Sequence, residues 1–188
     1  PVPSNYPGGS RHLHREMSLL HKRWDFIHKY SFAVPTREAI EAIVKYSPLI
    51  EVGAGTGYWA KLLQDAGADV LALDIEPPRA GHDHEHFQPR SYTEVRAGDA
   101  GELRQYPERT LFLCWPPYAT PMAAQCLDLY RGEHLAYIGE GPGGCTGDDR
   151  FHDLLEAQWG EVERVCIPQW PGVHDYLVVY RRKDVSRC

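Results

Sequence analysis

From Pro48 to Arg182 short apolar runs alternate with helix-patterned segments, and that alternation leaves few folds open. "PLIEVG" (48–53), "DVLALDI" (69–75), "TLFLCW" (110–115) and "EHLAYIGE" (133–140) have the length and apolarity of buried strands. "TGYWAKLLQDAG" (56–67), "TPMAAQCLDLYRG" (120–132) and "GDDRFHDLLEAQWG" (147–160) lie between or after them with helical spacing, the first ending at Gly67 in C-cap position. Strands that read as continuous apolar runs, joined by helices, belong to a mostly parallel sheet covered on both faces. "VERVCIP" (162–168) and "DYLVVYRR" (175–182) are separated only by "QWPGVH", too short for a helical crossover, so they should pair as an antiparallel hairpin. The prediction is an α/β, doubly wound, mostly parallel sheet. It has a C-terminal antiparallel hairpin and an N-terminal helical extension. Residues 76–98 read as a long polar connection.

Before the alternation, "HLHREMSLLHKRWDFIHKY" (12–30) places Leu13, Met17, Leu20, Trp24 and Ile27 on one helical face, with Arg15, Lys22 and Arg23 on another. Thr36 is positioned to cap a helix over "REAIEAIVKYS". The expected division is an extension over residues 1–34 that covers a ligand site and a single domain over 35–188. "PVPSNYPGGSRH" has no apolar core of a signal peptide and no initiator Met, so a processed, cytoplasmic chain is expected. Five widely spaced cysteines without a CxxC read as reduced thiols. No apolar stretch is long enough for a membrane span. A formal net charge of −6 disfavours nucleic acid and anionic membranes at long range.

The chemistry concentrates at strand ends. In "EVGAGTG" (51–57), Gly53, Gly55 and Gly57 let the chain turn tightly and let a ligand lie against bare backbone. Glu51 stands two positions before the first of these glycines, where it would repel a pyrophosphate and attract an ammonium or sulfonium. Asp74 follows the apolar run Val70–Leu73, where its carboxylate can accept from both hydroxyls of a ribose. A ribose carrying a cationic amino-acid tail describes S-adenosylmethionine better than NAD.

With "EVGAGTG", "ALDI" (72–75), "AGDA" (97–100) and "LFLCWPPY" (111–118) in this order, the chain resembles the class I S-adenosylmethionine-dependent methyltransferases over residues 35–182. The resemblance implies S-adenosylmethionine as cofactor and S-adenosylhomocysteine as product. It places Gly53, Gly55 and Gly57 at the methionine end, Asp74 at the ribose, and Asp99 or Ala100 at the adenine, with Glu51, Ala54, Ile75 and Cys114 as further cofactor-side candidates, and it implies a sheet of the seven-stranded type. Tyr30, with Phe32 beside it, would cover the site from the extension.

"CWPPY" is similar to the Asp/Asn-Pro-Pro-Tyr/Phe loop of amino methyltransferases, whose Asp or Asn accepts from the target amine and whose aromatic residue stacks on it. Trp115 stands where the Asp or Asn is expected, and an indole N–H cannot accept that bond. The prolines fix the loop backbone, so Trp115, Pro116 and Tyr118 remain the expected acceptor-side residues. Glu140, at the end of the next strand, could act as a base or as a replacement anchor. His174, in the hairpin loop with Trp170 and Asp175, is a further candidate base. "HDHEHF" (82–87) has no closed ligand framework and reads as a solvated loop, so no metal is expected.

The function expected from these residues is methyl transfer from S-adenosylmethionine to a small or mid-sized acceptor, with nitrogen favoured over oxygen or carbon. An RNA or protein acceptor would need a basic groove, which only residues 11–23 suggest. A non-catalytic S-adenosylmethionine-binding scaffold is the reading that Trp115 favours. The N-terminal helix is a candidate homo-oligomer contact.

Overall fold

The computed structural model of the chain describes residues 21–78 and 91–184. Residues 12–20, part of the expected first helix, and the 82–87 histidine segment lie outside the described residues. Residues 21–29 are helical (α1). Ile27 of that helix is buried, whereas Trp24 is 48% exposed, so the expected apolar face is only partly used. Helix α2, Arg37–Val44, is capped as expected: Thr36 Oγ1 accepts from the Ala39 N–H at 3.1 Å.

The domain then runs β1 (Leu49–Val52), α3 (Tyr58–Asp65), β2 (Val70–Asp74), β3 (Arg96–Ala97), a 3₁₀ helix (Ala100–Gln105), β4 (Thr110–Cys114), α4 (Met122–Leu129), β5 (His134–Gly139), α5 (Asp149–Gln158), β6 (Trp159–Cys166) and β7 (Tyr176–Arg182). The seven strands form one sheet in the order β3-β2-β1-β4-β5-β7-β6. Strand β1 pairs in parallel with β2 and β4, and β4 in parallel with β5. Strand β7 lies antiparallel between β5 and β6, which is the expected hairpin inserted into the sheet.

Two differences from the sequence reading have physical causes. The connection after β2 contains a short strand, Arg96–Ala97, that pairs with Leu73 and Asp74. Both its residues are exposed, so no apolar run announces it. Helix α5 also stops at Gln158 and β6 begins at Trp159, earlier than the 162 expected, because Trp159 is a core residue packed parallel to Tyr130. Gly67 adopts the left-handed conformation (φ 95°) just past the end of α3, which is why the helix stops there.

The sheet is covered on both sides. One face packs Ala39, Ile43, Trp59 and Leu63 against Leu49 and Phe112. The other packs Leu103, Leu127, Tyr130 and Phe151 against Ile50 and Leu111. Every residue of β1 is buried, including Glu51. A charged side chain in the central strand of a two-sided core asks for a purpose.

Candidate active site

The cavity lies beyond the carboxyl ends of β1, β2 and β4, where a doubly wound sheet opens its crevice. Its volume is about 710 Å³, a size suited to a cofactor together with part of a second ligand. The loop after β1 forms its floor. Gly53 and Gly55 are left-handed (φ 79° and 53°), and a Cβ on Gly53 would meet the Met122 side chain at 2.7 Å. Gly57 is also left-handed (φ 73°), but it caps α3 and stands off the cavity wall, so its part is to turn the chain. A Cβ there would press on Val95 and Thr93 at 2.8 and 3.0 Å.

Asp74 ties the floor to the next strand. Its Oδ2 accepts from the Gly55 N–H and its Oδ1 from the Glu76 N–H, both at 2.8 Å. The carboxylate is thereby fixed in orientation at the cavity wall, with Ile75 beside it, 77% exposed. Asp99 caps the 3₁₀ helix by accepting from the Gly101 N–H, and Asp99 and Ala100 line the same cavity. Ala54 and Cys114 line it as well.

Glu51 is 2% exposed, and its Oε2 has no hydrogen-bond partner. Burial, and then the negative charge of Asp74, push its carboxyl up to about 8. Glu51 also lines the cavity, so its orphan oxygen is available to a donor brought in by a ligand. The Cys114 thiol is pushed well up, by burial first and then by Glu51 and Asp175, so it stays neutral.

From the opposite side the segment after α1 brings in Tyr30, Ser31 and Phe32. The Tyr30 ring lies 5.1 Å from that of Tyr58, and the Tyr30 carbonyl accepts from Thr56 Oγ1 at 3.3 Å. Phe32 stacks on Trp115, with centroids 5.3 Å apart and planes within 10°. Trp115 sits in left-handed backbone (φ 52°), a conformation a bulky side chain rarely adopts. Its Nε1–H donates to Asp175 Oδ2 at 2.8 Å. Trp115, Pro116 and Pro117 all line the cavity, and the Pro116 carbonyl accepts from the Gly147 N–H at 2.9 Å.

The remaining acceptor-side residues stand away from the cavity wall. Tyr118 lies past the turn, 52% exposed and off the cavity wall. Glu140 is buried behind the wall, and both its oxygens are engaged: Oε1 by the His174 N–H at 2.7 Å and Oε2 by the Cys145 N–H at 2.8 Å. Burial alone would raise its pKa, but hydrogen bonds from Cys145 and His174 outweigh that and the net shift is downward. A carboxylate held in this way is a loop fastener and a poor base. The His174 side chain is 82% exposed, with Nδ1 3.7 Å from Glu140 Oε1, and also stands off the wall. Phe32, Tyr58, Met122 and Cys145 line the cavity without belonging to any strand-end motif. Among the described residues no group of His, Cys, Asp and Glu is arranged to hold a metal.

Residues 50–114 match a family described as methyltransferase domain. Over those residues the chain is similar to a methyltransferase domain, and its sheet order and closing hairpin form a fold similar to that of solved methyltransferases. Among solved structures it is similar to Burkholderia thailandensis 1,6-didemethyltoxoflavin-N1-methyltransferase, crystallised with its substrate and S-adenosylhomocysteine. The TM-score is 0.52 at 17% identity, covering 98% of this chain and 94% of that one. It is similar also to a protein solved in work on the conversion of a disulfide bond into a thioacetal group during echinomycin biosynthesis. There the TM-score is 0.51 at 19% identity, covering 93% and 91%. No curated protein matches the sequence.

Proposed function

We propose that the protein transfers a methyl group from S-adenosylmethionine to a small or mid-sized acceptor, at nitrogen in preference to oxygen or carbon. The observation that carries this is the convergence on one cavity of the glycine turn, the fixed Asp74 carboxylate and the buried, partnerless Glu51 oxygen. A ribose, an ammonium group and a sulfonium satisfy those three features together. Residues 30–32 of the 1–34 extension support its role as a cover.

The preference for nitrogen rests on the absence of a base. Among the described residues the charged groups on the cavity wall are Glu51, Asp74 and Asp99, all assigned to the cofactor side, while Glu140 and His174 stand off it. A neutral amine or ring nitrogen attacks a sulfonium methyl with its own lone pair and needs only alignment. A hydroxyl or a C–H would need its proton removed first.

The experiment has two parts. Calorimetry should show binding of S-adenosylhomocysteine, weakened by about 1–3 kcal/mol in Asp74→Ala as ribose hydroxyls lose their acceptor. Transfer of labelled methyl to a library of amines, phenols and carbon acids should then favour amines. Binding without transfer to any of them would support the second reading, a cofactor-binding scaffold, which the engaged Trp115 N–H favours.

A further inference from the structure

The Trp115 indole is held more firmly than a surface ring needs. Its backbone is left-handed, its N–H is engaged by Asp175, its ring is stacked on Phe32, and the Arg23 guanidinium carbon lies 5.7 Å from its centroid. Asp175 is 1% exposed, its Oδ1 has no partner, and its backbone carbonyl accepts from Gln169 Nε2 at 2.8 Å. A carboxylate buried in this way is costly unless it does something for its neighbours. Here it orients one ring. Because the N–H is spent on Asp175, Trp115 has no polar atom left for a ligand and offers only π surface and edge. Next to it the wall continues as Phe32, Pro116 and Pro117.

Charge points the same way. Every charged side chain on the cavity wall among the described residues is acidic: Glu51, Asp74 and Asp99. No Lys, Arg or His among them lines it; Arg23 stands off the wall, with its guanidinium carbon over the indole, its charge felt by Asp175 and its Nε without a hydrogen-bond partner. An anionic acceptor would enter a site whose wall carries acidic side chains and no basic one, a repulsive element against that class.

We propose that the acceptor is a planar heteroaromatic compound without negative charge, received against the Phe32–Trp115 wall, and that Asp175 is the positioning residue that fixes this wall. The proposal rests on the methyltransferase reading of the same cavity. It replaces the acceptor anchor missing from the loop with an aromatic surface whose angle is set from the hairpin, 60 residues further along the chain.

The test uses quinoline and quinoline-4-carboxylate as probes, titrated by ligand-observed NMR into the full chain saturated with S-adenosylhomocysteine. Failure of S-adenosylhomocysteine to bind would overturn the methyltransferase reading itself; the remaining outcomes bear on the inference alone. Quinoline should bind at least about tenfold more tightly than its carboxylate, since like charges in a confined site are costly. Asp175→Ala should weaken quinoline by about two- to tenfold, because a ring turned out of position forfeits the energy of one aromatic pairing. It should leave S-adenosylhomocysteine affinity unchanged. Asp175→Asn, which keeps an oxygen to accept from the indole, should restore most of the quinoline affinity; a merely structural carboxylate would show no such split. If Asp175→Ala does not fold, Trp115→Phe carries the comparison and should weaken quinoline by a similar factor. Quinoline binding that is absent, equal to that of the carboxylate, or unchanged in these variants overturns the proposal.

Discussion

At the scale of single residues the informative group is Glu51, a carboxyl in a central strand with one oxygen unpartnered. Burial and Asp74 raise its pKa from 4.5 to about 8. The folded state therefore holds this proton more tightly than the unfolded chain does. Its contribution to stability is fully present below the unfolded value and is lost as pH rises through about 8. Between those limits the ligand-free protein should lose at most about 1.4 kcal/mol per pH unit from this one group. Glu51→Gln should flatten that part of the urea-denaturation profile. A cofactor ammonium favours the carboxylate form, so binding should release a proton. S-adenosylhomocysteine affinity should rise between pH 6 and 8 by up to about tenfold per unit in the wild type, and much less in Glu51→Gln. Calorimetry in buffers of different ionisation enthalpy reads the proton directly. A wild-type affinity that does not change with pH would remove Glu51 from the ammonium site.

At the scale of elements, strands β1, β2 and β4 and the turn after β1 were legible because local signals decide them. Apolar runs mark the strands, and three left-handed glycines mark the turn. The part of the site that was not legible is the part built by pairing distant segments. Asp175 was visible in the hairpin loop, but nothing local says that it reaches Trp115, because their hydrogen bond exists only once β7 is inserted beside β5. Glu140 is drawn away from the cavity in a related way: one oxygen is held by the Cys145 N–H of its own loop and the other by the His174 N–H of the hairpin loop. Those partners make it a fastener of the β5 loop, next to Thr146, whose hydroxyl accepts from the Glu140 N–H at 2.7 Å and pairs with the Tyr137 hydroxyl at 2.7 Å. Glu140→Ala should destabilise the fold by about 2 kcal/mol, as charge-assisted hydrogen bonds disappear. Its pH dependence has the opposite sign to that of Glu51. The folded pKa is lowered, so its stabilisation is present above the unfolded value and is lost as pH falls through the folded one. Urea denaturation at pH 7 and pH 3 checks both statements. A variant as stable as wild type at pH 7 would leave Glu140 free to be a base after all.

At the scale of the whole molecule, the alternation of strand and helix decides the class of fold but not the ligand, since a doubly wound sheet with a glycine turn serves dinucleotides as readily as S-adenosylmethionine. The decision comes from charge. In a dinucleotide site the pyrophosphate lies on the N-terminus of the helix after the glycine turn and is welcomed by its dipole. Here that helix, α3, begins beside Glu51 at the end of β1 and Asp74 at the end of β2, and Asp99 faces the same cavity. A pyrophosphate would find acidic side chains and no basic one there, whereas an amino-acid tail with an ammonium would meet a partner. The two ligands should therefore separate in one experiment on the intact chain. A ligand that binds only the folded state at about 100 times its Kd adds about 2.7 kcal/mol. For a domain of this size that corresponds to a rise in Tm of about 5–11 °C. S-adenosylhomocysteine at saturating concentration should give a rise in that range, and NAD at the same concentration less than about 1 °C. Repeating the scan with Glu51→Gln should shrink the S-adenosylhomocysteine shift without creating one for NAD, because the wall still offers a pyrophosphate no basic side chain. Stabilisation by NAD with none by S-adenosylhomocysteine would mean that the carboxylates do not set the field of the cavity, and the site would have to be reassigned to a dinucleotide.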